Sequence, residues 1–316
     1  MKEPADFTLQ SNIDLDNQNW AGIQSSLTVD GNYKTISNMK LKGNKSEKTA
    51  GFINTTGTGA STIKNLTFNG VQTDITTISG GRYDGGIGAI IGNAKGNVTL
   101  QRVIVKLAGD NFGTKADKNA ETANVGGLIG LVDADKNVVL TGTSVDASAT
   151  TLTAYKNIGG FIGSAGGNVT IKMAEENGDD PEIFPTVSGL KMYVTFDATE
   201  GSSDVNDPYQ GTTGQFIGSI NLYKLIQIAD VKDVKPTLTI GGKVNEAVAF
   251  KIEDTTHRYF FGRGDQTLIG QSGFVLPTPK GKFVINGKEY QVFKTGFDFT
   301  VGSPKLYELT NEPHVN

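Results

Sequence analysis

The chain has 316 residues, 41 of them glycine, with no cysteine and a net charge of −4. Without cysteine there is no disulfide scaffold, thiolate metal site or thiol nucleophile. With acidic and basic residues mixed along the chain, there is no nucleic-acid face, and no apolar run approaches the roughly 18 residues of a membrane span.

Glycine stands at nearly twice its usual share of about 7%. Only 37% of residues are hydrophobic, but they are regularly placed, which argues against disorder. No signal peptide opens the chain. Phe7-Thr8-Leu9 already reads as a strand, so the expectation is a processed chain or one lacking upstream sequence, with Met1 added.

Five stretches share one pattern: an apolar or small residue, Gly or Ala, a small residue, two apolar residues and Gly. They are Thr49 to Asn54 (TAGFIN), Ile87 to Gly92 (IGAIIG), Val125 to Gly130 (VGGLIG), Ile158 to Gly163 (IGGFIG) and Thr213 to Gly218 (TGQFIG). Their last residues advance by 38, 38, 33 and 55 positions. A recurrence of this size marks a repeat architecture. After each motif comes a polar turn and then period-2 alternation: "TIKNLTF" (Thr62 to Phe68), "NVTLQRVIV" (Asn97 to Val105), "NVVLTGTSV" (Asn137 to Val145) and "NVTIK" (Asn168 to Lys172). Val, Ile, Leu and Thr alternating between Asn/Gly turns is strand chemistry.

The recurring unit is predicted to hold two or three short strands and to span two coils. No segment has helical periodicity; even Tyr223 to Val231 ("YKLIQIADV") alternates. The pattern predicts an all-β chain folded as a right-handed parallel β-helix, a solenoid whose strands each turn one face into a narrow apolar core. A propeller is the alternative, but its ~40–45-residue blades need four strands each. The motif glycines are predicted to allow positive φ at coil corners and close backbone approach. The pair Phe161/Ile162 is predicted to form an inward-facing strand between two such corners, with Gly160 at the bend.

Farther along, "AEENGDDPEIFP" (Ala174 to Pro185) and "DATEGSSDVNDPYQG" (Asp197 to Gly211) read as polar insertions. The repeat domain is placed at 1–235. From 236 to 316, charged and aromatic residues rise, and a β-rich C-terminal cap or small module is expected. Within it, Asn286-Gly287 in "GKFVINGKEYQVFKTGFDFTV" signals a tight hairpin.

Residues that could carry chemistry are few. His314 is near the C-terminus, and His257 with Glu253 and Asp254 reads as a surface histidine rather than a base with its orienter. Asp14 and Asp16 could meet the carboxylate spacing of a glycoside hydrolase, but they flank Leu15 and are expected to face solvent. "DADKN" (Asp133 to Asn137) begins like a calcium loop, yet it lacks the glycine and the glutamate such a loop needs at later positions and occupies an ordinary repeat turn. "DVNDP" (Asp204 to Pro208) is a better calcium candidate because it lies in an insertion. Arg263-Gly264-Asp265 matches an integrin-binding tripeptide and equally a hairpin turn. Gly80 to Gly88 has no following helix to make it a phosphate cradle. Tyr83, Tyr155 and Tyr209 sit in polar surroundings where a ring could stack on a sugar. No catalytic, cofactor-binding or metal residue is assigned, and no ligand-binding residue is known from sequence.

VGGLIG at Val125 to Gly130 resembles the GLUG motif of bacterial surface proteins. "FTLQSNIDLDNQNWAGI" (Phe7 to Ile23) and "LTVDGNYKTISNMKLKG" (Leu27 to Gly43) are similar to the opening coils of exported Bacteroidetes proteins. The resemblance spans about Phe7 to Gly218. Asn54 departs from it in place of the last glycine, and Ala89 and Gln215 in place of the central one; those coils are expected to be irregular. The resemblance implies an exported, adhesin-like cell-surface protein with a ligand-binding or host-interaction role; the repeated surface suggests a glycan or a host or bacterial surface ligand, no cofactor is expected, and the scarcity of catalytic residues argues against an enzyme. The alternatives are a polysaccharide lyase or glycoside hydrolase on the same fold, and a structural stalk.

Overall fold

The structure, a computed structural model, describes residues 5–43, 48–74, 83–113, 122–178, 180–194, 212–220, 224 and 226–229, together with short strands at 237–240, 243–246, 251–252, 283–285, 288–293 and 305–308. Among these residues there is no helix. Most strands stack in parallel into four ribbons, and the coil from Thr122 places two strands in the longest ribbon and one in each of the other three.

The second ribbon shows how directly the repeat sets the stack. It is built from Ile53–Thr55, Ile91–Ala94, Ile129–Val132, Ile162–Ala165 and Ile217–Ile220. Ile53, Ile91, Ile129, Ile162 and Ile217 lie side by side in successive coils. Each is the residue just before the end of its motif, so one repeat is one coil, not two. The coils are also richer than predicted. The coil from Thr122 holds five strands, Thr122–Gly126, Ile129–Val132, Asn137–Thr141, Ser144–Asp146 and Thr151–Ala154. The last of these carries no alternation signal, being only four residues long.

Alternation delivers one residue in two to the interior. In the longest ribbon Val29, Ile63, Leu100, Leu140, Ile171 and Ile228 form one inward row, and all are buried. Each such side chain contributes roughly 1.5–3 kcal/mol relative to exposure. Phe161 rests on Phe216 with ring centroids 5.0 Å apart, and Trp20 stacks on Phe52 at 5.3 Å. Phe161 is fully buried as expected, but it sits at the bend between Asn157–Gly159 and Ile162–Ala165, not within a strand.

The motif glycines need a corrected explanation. None of them has positive φ. A side chain at Gly160 would place its Cβ 2.1 Å from the Gln215 carbonyl oxygen, and one at Gly130 would lie 2.3 Å from the Ile87 nitrogen. They are glycine because two ribbons meet there with backbones nearly touching. Left-handed corners fall mostly to other residues, among them Asn32, Asn38 and Asn65, since asparagine tolerates that region. The coils that depart from the motif keep their register. Asn54 is buried, its Oδ1 accepting from Gly51 N–H (3.1 Å) and its Nδ2 donating to the Ala21 carbonyl (2.6 Å).

Toward the C-terminus, Phe283–Ile285 pairs in parallel with Ile226–Ile228. It then pairs antiparallel with Lys288–Phe293, Ile285 opposite Lys288, which is the hairpin predicted around Asn286-Gly287. Lys305–Glu308 adds a further antiparallel strand.

Candidate interaction surface

The long ribbon bends at one corner in every coil. Residues in the left-handed region mark it: Asn32 and Tyr33, then Asn65, Arg102 and Gly142. Register aligns them. Lys64 and Leu66 pair with Gln101 and Val103, so Asn65 stands beside Arg102; Thr141 and Ser144 pair with Gln101 and Ile104, so Gly142 follows at the same corner. The next coil breaks here. Lys172 pairs with Thr141 and Thr186 with Ser144, leaving 173–185 as an arm inserted at the corner.

The arm is a small hairpin held by antiparallel bridges between Ala174 and Ile183 and between Asn177 and Asp180. It folds back over earlier coils. Ala174 packs on Gly142, where an added Cβ would lie 2.5 Å from its own. The buried Arg102 guanidinium donates to the carbonyls of Pro181 (2.5 Å) and Glu175 (2.6 Å) and lies 3.9 Å from the Asp180 carboxylate. The Tyr33 hydroxyl donates to that same carboxylate. Tyr33 lies four coils from the arm's root, about 19 Å at ~4.8 Å per coil. The ring of Tyr33 is exposed, as is Phe184 on the arm.

On the strand that leads into the corner, outward side chains form registered rows. Thr28, Thr62, Thr99, Val139, Thr170 and Gln227 make one. Asp30, Lys64, Gln101, Thr141 and Lys172 make the next. Asp30 pairs with Lys64 at 3.1 Å. Partial burial opposes its ionisation, but hydrogen bonds from Asn32 N–H, Lys64 and Asn65 outweigh that and hold its pKa below the usual carboxylate range. At the turn before this ribbon, Asn168 Nδ2 donates to Asn137 Oδ1 (2.8 Å) and Asn137 N–H donates to Asn97 Oδ1 (2.9 Å), an asparagine ladder along the edge.

The residues singled out from sequence are not brought together. Asp14 and Asp16 are exposed, and Asp14 Oδ1 accepts from Asp16 N–H and Asn38 Nδ2, both at 2.9 Å. These bonds lower its pKa and make it a turn cap. Asp133 to Asn137 form a repeat turn in which Asp135 is paired with Lys224. Tyr83 opens the strand Tyr83–Gly88, and Tyr155 is half-buried after Thr151–Ala154. His257, Glu253, Asp254, Arg263-Gly264-Asp265, Asp204 to Pro208, Tyr209 and His314 lie outside the described residues. Among the described residues, no three His, Asp or Glu side chains converge on a metal position, and no helix is long and apolar enough to cross a membrane.

Sequence reading missed Arg102, Tyr33 and Asp180. Their only signal is the length of the 55-residue step, which announces an insertion without saying where it folds. No family model, curated protein or solved structure matches the chain.

Proposed function

We propose that this protein is an exported, adhesin-like binding protein of a bacterial cell surface. Its ligand is an extended polymer, a glycan or a host surface component, and it binds without cleaving. The row of Thr28, Thr62, Thr99, Val139, Thr170 and Gln227 carries this reading. Hydroxyl and amide groups stand at the ~4.8 Å strand spacing along a rigid stack, interrupted once by Val139, and a ligand with its own short repeat can meet several of them in one register. Preorganised donors and acceptors lose little entropy on binding. The similarity of VGGLIG and of the opening coils to GLUG-type exported proteins supports the cell-surface setting.

Screening the purified chain on a glycan array, alongside reducing-end and unsaturated-uronate assays on plant, mucin and host-matrix polysaccharides, tests the proposal. Binding weakened by Thr62→Lys with Thr99→Lys, and degradation at background, are expected. Turnover lost on replacing a single carboxylate such as Asp14 would make the protein an enzyme. Failure to bind any polymer would leave a stalk.

A further inference from the structure

The arm at 174–183 turns on a pair of residues that the fold leaves chemically open. Asn-Gly is the dipeptide in which an asparagine amide is most easily lost, because glycine has no side chain to keep its backbone nitrogen from the asparagine Cγ. The sequence holds three such pairs: Asn69-Gly70, Asn177-Gly178 and Asn286-Gly287. The last lies outside the described residues.

The fold treats the other two differently. Asn69 belongs to the long strand Ser61–Asp74, with Ser37 on one side and Lys106 on the other. Its carbonyl accepts from Asn38 N–H at 2.8 Å. Bringing the Gly70 nitrogen onto the Asn69 side chain would break backbone bonds that the neighbouring coils supply. Asn177 is exposed at the turn of the arm. Among the described residues, its backbone is held by the two bonds it exchanges with Asp180, each 3.1 Å long. Gly178 follows at φ 64°, and no described atom lies within 4 Å of where a Cβ would stand. A tip with so few contacts opens locally at small free-energy cost.

We propose that Asn177 is a self-modification site, and that loss of its amide releases the arm. The Gly178 backbone nitrogen attacks Asn177 Cγ and forms a new C–N bond. The bond from Cγ to Nδ2 breaks, and Nδ2 leaves as ammonia, carrying the proton from Gly178 N–H. Water then opens the cyclic imide. Addition at the side-chain carbonyl gives aspartate. Addition at the main-chain carbonyl gives isoaspartate, whose backbone runs through Cβ and Cγ and is longer by the Cβ atom.

Either product adds a carboxylate to an arm that already carries Glu175, Glu176, Asp179, Asp180 and Glu182 and has no lysine or arginine, and like charges repel. Isoaspartate does more, because the longer backbone cannot keep the pairing of Asn177 with Asp180. Asp180 is the residue whose carboxylate accepts from Tyr33 and lies 3.9 Å from Arg102. A change at the turn is thereby passed to the contacts that hold the arm across the coils.

The test ages the folded protein and a urea-unfolded sample in mildly alkaline buffer. Peptide mapping by mass spectrometry follows amide loss at Asn69 and Asn177, and an isoaspartyl methyltransferase assay detects the isomer. Asn177 should convert in the folded protein, and Asn69 only in the unfolded one. Asn177→Gln, whose extra methylene disfavours ring closure, should abolish conversion at 177 and leave the circular dichroism spectrum unchanged. After aging, protease should cut within 174–183 faster than in fresh protein, and aging should not speed cleavage of the glutamine variant. The proposal is overturned by an Asn177 that does not convert, by an Asn69 that converts alongside it in the folded protein, or by converted chains whose arm stays as resistant as before. Should the glutamine variant misfold, the contrast between Asn69 and Asn177 still decides, as does cleavage of converted against unconverted chains in one sample.

Discussion

Tyr33 and Asp180 are 147 residues apart in sequence, and the phenol hydroxyl of one donates to the carboxylate of the other. The contact ties the tip of an arm rooted late in the stack to its beginning, across the corner that Asn65, Arg102 and Gly142 share. Tyr33 sits at φ 57°, beside Asn32 at φ 47°. Such a conformation costs a bulky residue of the order of 1–3 kcal/mol and persists only where its surroundings hold it.

This contact should respond to alkaline pH. The hydrogen bond to Asp180 raises the Tyr33 pKa, with burial adding to it. A raised pKa means that the contribution is fully present below the unfolded value of about 10 and is lost as pH rises through the higher folded value. Limited proteolysis within the arm should therefore speed up in alkali, relative to an unstructured reference peptide, before the stack loses strand signal. Tyr33→Phe should remove that extra pH dependence. An arm whose corrected cleavage shows the same alkaline dependence in both proteins would show that this bond does not hold it.

Arg102 should matter more than Tyr33, because it is buried and donates to two carbonyls. Arg102→Met leaves the Glu175 and Pro181 carbonyls without those donors, at about 1.5–3 kcal/mol for hydrogen bonds to a charged group. Limited proteolysis should then cut within 174–183 faster than in the unsubstituted protein, while the described strands stay resistant. Unchanged cleavage at the arm would refute the clamp.

Gly160→Val tests the explanation given for the motif glycines. The new Cβ would meet the Gln215 carbonyl oxygen at 2.1 Å and Val187 Cγ1 at 2.7 Å. Forcing the coils apart should cost on the order of 1–3 kcal/mol, as overpacking does, read as a lowered urea midpoint. Gly160→Ala should also destabilise, since the clash begins at Cβ. A neutral alanine would mean that the coils do not approach as closely as described.

Phe161→Ala should be strongly destabilising, at about 3–5 kcal/mol from lost burial and the cavity beside Phe216. Thermal unfolding would measure it. Phe161→Leu should cost well under half as much; equal losses would mean that aromatic volume is not what fills that layer.

Much of the architecture was legible in the residues. The spacing of five glycine motifs gave the register of a whole ribbon, because parallel stacking sets each copy beside the next and chain length per coil becomes a sequence distance. Alternation identified the inward row through Ile63, Leu100 and Leu140, since a strand has only two faces. Asn286-Gly287 announced the hairpin on local turn chemistry alone. What tertiary structure alone decided is every relation between coils that do not repeat. The glycines proved to serve backbone contact rather than positive φ, because proximity of two ribbons is not written in either one. The arm's course over Gly142, Arg102 and Tyr33 was likewise invisible, because an insertion has no period to align it and its partners lie one to four coils away.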